Sequence, residues 1–264
     1  MTDRQELSGR VAVVTGGTRG VGAGIVRALL AAGAEVVAAA RRAPSEPLQA
    51  AGRKAGFRPL DVRDPDAGAA LLAQVAADHG RLDLLVNNAG GTPYLPLAEG
   101  DADRHRRVLE LNLVAPLLLS RAAYAVMHRQ PGGGSIVMIG SVSGQRPSPG
   151  SAAYGAAKAG LDHLARSLAV EWAPAVRVNT LVLGMVRTEA SRLHYGDEEG
   201  IAAVARTVPL GRLARPEEVG DACVFLASPR AAYISGASLL LHGGGERPAF
   251  LDAANADHST EKGH

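Results

Sequence analysis

Several residue types are scarce in this 264-residue chain, and each scarcity excludes a class of protein. Cys223 is the single cysteine, so the chain can form no intramolecular disulfide and no thiolate metal cluster, which favours a reducing, cytoplasmic setting. The eight histidines are scattered without metal-ligand spacing, so no metal site is predicted. Aromatic residues make up 3% and hydrophobic residues 47%, so we expect a core of alanine, valine and leucine.

Neither a strong charge excess nor a long apolar run is present. Lysine plus arginine number 28 and aspartate plus glutamate 26, and a net charge of +2 is too balanced to indicate a nucleic-acid or membrane-surface partner. The N-terminus lacks an apolar signal core, and no uninterrupted apolar stretch approaches the roughly 20 residues that a membrane span needs. We therefore expect no nucleic-acid or membrane partner, and a small molecule as substrate.

Strand patterns alternate with helix patterns along most of the chain. β-Branched and apolar runs predict strands, and apolar residues at three- and four-residue spacing predict helices. This alternation is typical of an α/β protein with one doubly wound parallel sheet flanked by helices on both faces. The predicted strands are 10–15, 35–39, 57–61, 83–87, 134–140, 176–183 and 238–242. The predicted helices are 22–32, 71–79, 104–127, 154–172 and 216–226.

The length suits a single domain, which we expect over residues 1–245. Residues 187–207 are charged and lack clear periodicity, which favours a substrate-side lid over about 185–210, with a plain surface loop as the alternative. Residues 246–264 are polar and aperiodic, so we expect a frayed tail or an arm on a neighbouring subunit.

A glycine-rich turn joins the first predicted strand to the first predicted helix. Such a turn lets the backbone approach a pyrophosphate and directs the helix N-terminus at it. The strand–turn–helix context favours nucleotide binding, and a turn rich in glycine only for packing is the alternative. The turn consists of Thr15, Gly16, Gly17, Thr18, Arg19, Gly20, Val21 and Gly22.

The spacing of this turn, Thr-Gly-x-x-x-Gly-x-Gly, resembles that of the short-chain dehydrogenase/reductase family, and further motifs of the family follow in order. The resemblance extends from about residue 7 to residue 244 and is similar in particular to the 3-oxoacyl-[acyl-carrier-protein] reductase-like members. It implies a Rossmann-type fold and hydride transfer between NADP(H) and a ketone or secondary alcohol. The matching residues are Asn87-Asn88-Ala89-Gly90, Asn112, Ser141 and Tyr154-Gly155-Ala156-Ala157-Lys158.

The residues after the second strand indicate which cofactor is used. NAD-selective members of the family carry an acidic residue there, whereas this chain has Ala40 followed by Arg41 and Arg42. Arg19 and Arg41 can form charge-assisted contacts with a 2′-phosphate, so we expect NADP(H). The alternative is that Arg41 and Arg42 are merely solvated. The other cofactor contacts that the resemblance implies are Gly16, Thr18, Gly20, Val21, Gly22, Asp61, Val62, Asn88, Ala89, Gly90, Tyr154, Lys158, Gly184, Val186 and Thr188.

Tyr154 and Lys158 are four residues apart, so on a helix they project from one face. A free tyrosine titrates near ~10, and we expect the Lys158 ammonium and a cationic nicotinamide to lower the pKa of Tyr154 towards neutrality. Because the chain has only three lysines, a lysine at this position is informative. The resemblance implies that Tyr154 is the general acid/base and that Lys158 also binds the nicotinamide ribose.

Two further residues complete the implied catalytic set. Ser141 would hydrogen-bond the substrate oxygen, and the family interval to Tyr154 selects it over its neighbour Ser143. Asn112 would hold a water that continues the proton path. The alternative for Asn112 is a polar residue that satisfies a helix irregularity.

The chain departs from the family pattern at two places near its end. Leu183-Gly184 stands where the family usually has Pro-Gly, although Gly184 and Thr188 are retained. Val186 and Thr188 remain expected nicotinamide contacts. His242 stands where many relatives have aspartate, a change that we expect to lie away from the chemistry.

Two other functions remain open at this point. An epimerase or dehydratase of the extended branch shares the fold, but such chains are longer and carry an added substrate region. A regulatory protein that binds nucleotide without turnover normally loses the tyrosine or the lysine, and both are present here. Candidate substrates are a 3-oxoacyl thioester, a steroid or terpenoid ketone, and a polyketide intermediate.

A homotetramer is expected from the two longest predicted helices. Helices 104–127 and 154–172 carry more apolar and small residues than one sheet face needs, and relatives pair through these helices.

Overall fold

The computed structural model describes residues 5–253 and consists of strands and helices in alternation. The strands are β1 (Val11–Thr15), β2 (Glu35–Ala40), β3 (Gln49–Ala50), β4 (Arg53–Lys54), β5 (Gly56–Pro59), β6 (Leu84–Asn87), β7 (Gly134–Ser141), β8 (Val176–Leu183) and β9 (Ser238–Leu241). The α-helices are α1 (Gly20–Ala31), α2 (Pro65–His79), α3 (Ala102–Leu109), α4 (Ala115–Met127), α5 (Ala152–Glu171), α6 (Ser191–Tyr195), α7 (Glu198–Thr207), α8 (Pro216–Ala227) and α9 (Ala249–Ala253).

Seven of the strands form one parallel sheet in the order β5-β2-β1-β6-β7-β8-β9, and β3 pairs with β4 as a separate hairpin. From β1 the chain runs outward to β2 and β5, and then returns to add β6 to β9 on the other side. Parallel strands end at the same edge of a sheet, and the reversal between β1 and β6 opens a crevice at that edge. The predicted doubly wound α/β fold is confirmed.

Both faces of the sheet are covered by helices, and β1 shows why its sequence is apolar throughout. Ala12 and Val14 belong to the core cluster that includes residues of α1 and α8, whereas Val11 and Val13 belong to the cluster with α2, α4 and α5. Successive side chains of a strand point to opposite faces, so a strand buried on both faces needs apolar residues at every position.

Helices α1 and α8 cross at glycines. A Cβ at Gly24 would lie 2.4 Å from the carbonyl carbon of Pro216, and a Cβ at Gly220 would lie 2.8 Å from the Gly24 carbonyl oxygen and 2.5 Å from the Ala28 methyl group. The two backbones therefore touch, and the position of α1 depends on that of α8.

Helix α2 begins six residues before the predicted start at 71 because its first turn is stabilised by a cap rather than by an apolar stripe. The Asp64 carboxylate accepts hydrogen bonds from the backbone N–H groups of Asp66 and Ala67, and Pro65 occupies the first helical position. Gly80 ends the helix in the left-handed conformation, with φ of 75°.

The predicted helix 104–127 is continuous but irregular. A π-helical segment, Glu110–Val114, separates α3 from α4. By length and composition the whole stretch Ala102–Met127 could cross a membrane. Core helices of soluble proteins pass the same test, and the buried residues of α4, among them Leu119 and Ala123, pack into one of the two core clusters beneath the sheet.

Residues 187–207, whose sequence lacks clear periodicity, contain the two helices α6 and α7, so the alternative of a plain surface loop is wrong. Helix α7 is stabilised by charge and capping: the Asp197 carboxylate accepts from the Gly200 backbone N–H, and Ile201 is the one buried residue of the helix. The ends of this segment are joined where Val186 and Ala214 form a parallel bridge, with N–H···O distances of 2.8 and 3.0 Å.

The predicted tail, residues 246–264, is described only as far as residue 253, and it contains the short helix α9 rather than an aperiodic segment throughout. Residues 1–4, at the start of the predicted domain, and 254–264 lie outside the described residues.

The first turn of α8 generates a stability prediction. Glu218 accepts from the Arg215 backbone N–H at 2.8 Å and from both terminal nitrogens of Arg212 at 2.8 and 2.6 Å, and hydrogen bonding to Arg212 lowers the pKa of Glu218 to about 2. We expect Glu218→Gln to lower the free energy of unfolding by about 1–2 kcal/mol at pH 7, measured by urea denaturation.

This loss depends on pH in a defined direction. Because the pKa of Glu218 is lowered on folding, its contribution is fully present above the ordinary value of 4.5 and disappears as the pH falls from 4.5 through about 2. Glu217→Gln, in the same helical turn, is the matched control and should cost less. Equal losses in the two variants at pH 7 would contradict the assignment.

Candidate active site

The carboxyl ends of β1 and β6 are joined by side-chain hydrogen bonds. The Thr15 hydroxyl donates to the Val86 carbonyl oxygen at 3.2 Å and accepts from the backbone N–H groups of Asn88 and Ala89, both at 3.0 Å. The Asn88 amide donates to the carbonyl oxygens of Thr15 at 2.8 Å and Gly16 at 3.2 Å. These bonds fix the start of the glycine-rich turn against the segment that follows β6.

The glycines of the turn are required by close contacts. A Cβ at Gly22 would lie 2.2 Å from the Gly16 carbonyl oxygen, and Gly16 itself has φ of 62° and packs against Asn88. Gly20 differs, because a Cβ there would meet nothing closer than the Thr188 methyl group at 3.6 Å. The turn is therefore closed on the Asn88 side and open above Gly20.

The N-terminus of α1 has no protein cap, unlike several other helices of the fold. Arg19 precedes the helix and makes no side-chain capping bond, and the first turn contains no acidic residue. Thr18 lies beside Arg19 in the turn, and Val21 lies in the first turn of α1. The residues that cap other helices are Asp64, Asp101 and Asp197. Free N–H groups beside an open glycine are suited to bind an anionic group such as a phosphate.

A charged cluster lies beyond the ends of β2 and β5. Asp61 accepts from the Arg63 side chain at 3.0 and 2.5 Å and from its backbone N–H at 3.1 Å, and hydrogen bonding to Arg63 lowers the pKa of Asp61 to about 2, with a smaller contribution from the charge of Arg41. Arg41 and Arg42 are exposed, and Val62 is buried. Sequence reasoning missed Arg63, whose position two residues after Asp61 is the signal that could have found it.

Lys158 is buried in the first turns of α5. Its ammonium donates to the Ile139 carbonyl oxygen at 2.8 Å, and burial lowers the pKa of Lys158 to about 8. The ammonium lies 5.5 Å from the centroid of the Tyr154 ring, as expected for residues four apart on a helix. A Cβ at Gly90 would lie 3.4 Å from this nitrogen, so Gly90 keeps the approach to Lys158 open.

Tyr154 faces Ser141 across the end of β7. Burial raises the pKa of the Tyr154 phenol above its ordinary value of 10, and a hydrogen bond with Ser141 opposes the rise. The Lys158 ammonium bonds Ile139 and lies over the Tyr154 ring, 5.5 Å from its centroid. The lowering of the Tyr154 pKa by this ammonium together with a cationic nicotinamide stays a prediction. Contact with Ser141 agrees with the choice of that residue over Ser143.

The Asn112 side chain is fully buried and bonded to backbone. Its oxygen accepts from the Gly91 N–H at 2.9 Å, and its amide donates to the carbonyl oxygens of Gly91 and Val108, both at 2.9 Å. The side chain lies within the π-helical segment and its amide bonds the Val108 carbonyl oxygen, which fits the alternative of a satisfied helix irregularity. Its bonds to Gly91 also hold the segment after β6. Because the oxygen can accept a second hydrogen bond, the water held by Asn112 stays a prediction.

The segment after β8 approaches the same edge. A Cβ at Gly184 would lie 2.8 Å from the Cβ of His242, so His242 packs against one of the expected cofactor contacts. That the His242 substitution lies away from the chemistry stays a prediction. Val186 is held by its bridge to Ala214, and Thr188 contacts the glycine turn at Gly20. The predicted nicotinamide contacts therefore lie along one segment that reaches the open side of the turn.

Within residues 5–253, no group of three or more His, Cys, Asp or Glu side chains is arranged to hold a metal ion. The polar groups at this edge are instead a phenol, a hydroxyl and an ammonium, which can hold and transfer a proton. The uncapped helix and the open glycine beside them fit a dinucleotide.

Known proteins are similar to this chain in sequence. The family model described as enoyl-(acyl carrier protein) reductase matches residues 16–246. Cis-4-hydroxycyclohexanecarboxylate dehydrogenase of Sinomonas cyclohexanicum is 41% identical over 242 residues, which cover 89% of this chain and 96% of that protein. The 3-oxoacyl-[acyl-carrier-protein] reductase FabG of Escherichia coli K12 is 37% identical over 244 residues, which cover 90% of this chain and 98% of that protein.

A solved structure gives the same result. A short-chain dehydrogenase/reductase from Serratia marcescens, solved as a doubly substituted variant, matches with a TM-score of 0.82 and 32% identity, covering 90% of this chain and 98% of that one. The chain belongs to the short-chain dehydrogenase/reductase family, whose oxidoreductases use a nicotinamide cofactor.

Proposed function

We propose that this protein transfers a hydride between NADP(H) and a ketone or secondary alcohol, with Tyr154 as the group that transfers the proton. The observation that carries the proposal is the meeting of Ser141, Tyr154 and Lys158 at the sheet edge where the uncapped α1 also begins. The names of two relatives support this proposal: one is a dehydrogenase of a cyclic alcohol, and the other reduces a 3-oxoacyl group.

Charge and open space support NADP(H) as the cofactor. The N-terminus of α1 and the open side of Gly20 suit the pyrophosphate. Arg19, in the turn, and the exposed Arg41, after β2, would bind a 2′-phosphate. Arg63 adds a third cation, although Asp61 already neutralises much of its charge. The remaining proposed cofactor contacts lie on the segments after β6 and β8: Asn88, Ala89, Gly90, Gly184, Val186 and Thr188.

The nicotinamide, when bound, supplies or accepts the hydride. Since burial raises the pKa of Tyr154, its phenol is protonated at neutral pH and can donate to the carbonyl oxygen of a ketone. Ser141 hydrogen-bonds the same oxygen and stabilises charge that develops there. Lys158, whose pKa is about 8, carries its positive charge at pH 7 and favours the phenolate that remains after proton donation.

Other features belong to the same proposal. Residues 185–210, with α6 and α7, act as the substrate-side lid. Thr188, near the start of this lid, lies next to Gly20 of the glycine turn. The described part of residues 1–245 forms a single domain, and the protein acts in the cytoplasm on a small molecule.

The first prediction concerns cofactor choice. We expect kcat/KM with NADPH to exceed that with NADH by roughly ten- to hundredfold, because a charge-assisted phosphate contact contributes about 1.5–3 kcal/mol. Arg41→Ala should remove most of this preference, whereas Arg129→Ala, an exposed arginine on the other side of the molecule, should not. Equal rates with the two cofactors, or a preference for NADH, would refute the proposal.

The second prediction separates chemistry from binding. Tyr154→Phe keeps the ring but removes the proton donor, so turnover should fall by ~10²–10⁴-fold while the Kd for NADPH stays near that of the unmodified protein. Lys158→Met should weaken both, since it removes the ammonium and its hydrogen bonds. NADPH fluorescence titration beside turnover of an accepted ketone measures the two effects. Near-normal turnover by Tyr154→Phe would show that another group transfers the proton.

The third prediction concerns assembly, for which we propose a homotetramer. Apolar side chains of α4 and α5 are exposed, among them Leu117 at 38% and Val170 at 81%. Burying them against a second copy would be favourable, so Val170→Glu should shift the mass from light scattering towards smaller species. Leu193→Glu, which is 86% exposed on α6, is the control and should leave the mass unchanged. A monomer at micromolar concentration in the unmodified protein would be incompatible with this assembly.

A further inference from the structure

Two segments at the catalytic edge are joined by a contact that the proposed mechanism does not use. The segment after β6 reaches the segment before α5, where the Leu95 backbone N–H donates to the Gly150 carbonyl oxygen at 2.7 Å. The ring of Tyr94 lies directly against Gly150, since a Cβ there would be 2.0 Å from the Tyr94 Cε2 atom. Gly150 also has φ of 73°, so a side chain at this position is disfavoured by conformation as well as by space.

Both ends of this contact are tied to the catalytic groups. Gly91 is held by Asn112, next to the Gly90 that lies beside Lys158, and Tyr94 follows three residues later. Gly150 comes four residues before Tyr154, immediately ahead of α5. The Tyr94 ring therefore joins the segment after β6, which lies beside Lys158, to the segment before α5, the helix that carries Tyr154. These contacts fix the position of the ring relative to the two catalytic residues.

The outer surface of this ring is open. Tyr94 is 79% exposed, although Leu95 beside it is buried and anchors the segment. An aromatic side chain fixed by its backbone and exposed on one face offers a flat apolar surface at little cost in conformational entropy. In a chain with only 3% aromatic residues, such a ring at the mouth of the site is a specific feature.

The charge of the segment that carries Gly150 is compensated. Arg146, on this segment, is paired with Glu246 at 2.6 Å. The segment thus offers no strong attraction for a carboxylate or phosphate, and the exposed Tyr94 ring suits the apolar body of a neutral substrate.

We propose that Tyr94 determines specificity: its ring forms a wall of the substrate entrance and packs against the apolar ring or branch of a neutral ketone or alcohol. The inference rests on the proposed function and adds a substrate class to it. Substrates with a cyclic apolar body present more apolar surface to this ring than short linear ketones do, so they should gain more from the contact.

The test compares a cyclic and a short linear ketone, cyclohexanone and butanone, with NADPH. We expect Tyr94→Ala to lower the ratio of kcat/KM for cyclohexanone over butanone by about tenfold, mainly through KM for cyclohexanone, and to leave the Kd for NADPH unchanged. Tyr94→Phe keeps the apolar ring and should retain the ratio within about twofold. Tyr233→Ala is the matched control, because it removes a fully exposed tyrosine.

The outcomes are distinct. A ratio that Tyr94→Ala leaves unchanged, or an equal loss for both ketones, would overturn the inference alone, and a thermal melt of each variant shows whether the fold is intact. Absence of turnover with either ketone, and with the corresponding alcohols and NADP⁺, in the unmodified protein would overturn the proposed function and this inference with it. A loss confined to cyclohexanone supports the role of Tyr94.

Discussion

One hydroxyl group holds together the two halves of the site. Thr15 ends β1, and its side chain bonds the carbonyl oxygen of Val86 and two N–H groups after β6. The glycine turn and the segment after β6, whose Gly90 lies beside Lys158, therefore share one anchor. A parallel sheet brings strand ends to one edge, but it does not fix the loops that leave those ends. Here the Asn88 amide completes the anchor by satisfying carbonyl groups of the turn. The glycine turn and the segment after β6 are consequently fixed to each other.

The buried ammonium of Lys158 is the costly element of this arrangement. An amine removed from water favours its neutral form, and one hydrogen bond to Ile139 recovers only part of the lost hydration, which is why its pKa falls to about 8. The same burial pushes the pKa of Tyr154 upward. Burial therefore shifts the pKa of each group towards its neutral form, but at pH 7 the Lys158 amine still carries its charge. A proton that leaves the phenol consequently yields a phenolate beside an ammonium that is already present.

Features that depend on local spacing could be predicted from the sequence, and features that depend on distant contacts could not. The alternation of strands and helices, the glycine turn and the shared face of Tyr154 and Lys158 follow from periods of two and of about 3.6 residues. The role of Asn112 depends on Gly91, which lies 21 residues earlier in the sequence, and no period reveals it. Helix α7 was missed for another reason: it is short, its first turn is acidic and capped by Asp197, and its apolar stripe consists of only Ile201, Val204 and Ala205. The coupling of Tyr94 to Gly150 joins segments that only the fold brings together.

The bridge between Val186 and Ala214 has a consequence for how this family can vary. It brings the two ends of the intervening segment together, so that α6 and α7 belong to a loop closed at its base by two backbone hydrogen bonds. The entropy of closing a flexible loop grows only with the logarithm of its length, and a doubling costs about 0.6 kcal/mol. We therefore expect insertions or deletions between the two ends to leave β8 and α8 in place. The length of this segment can then vary while the sheet and the proton-transferring residues stay where they are.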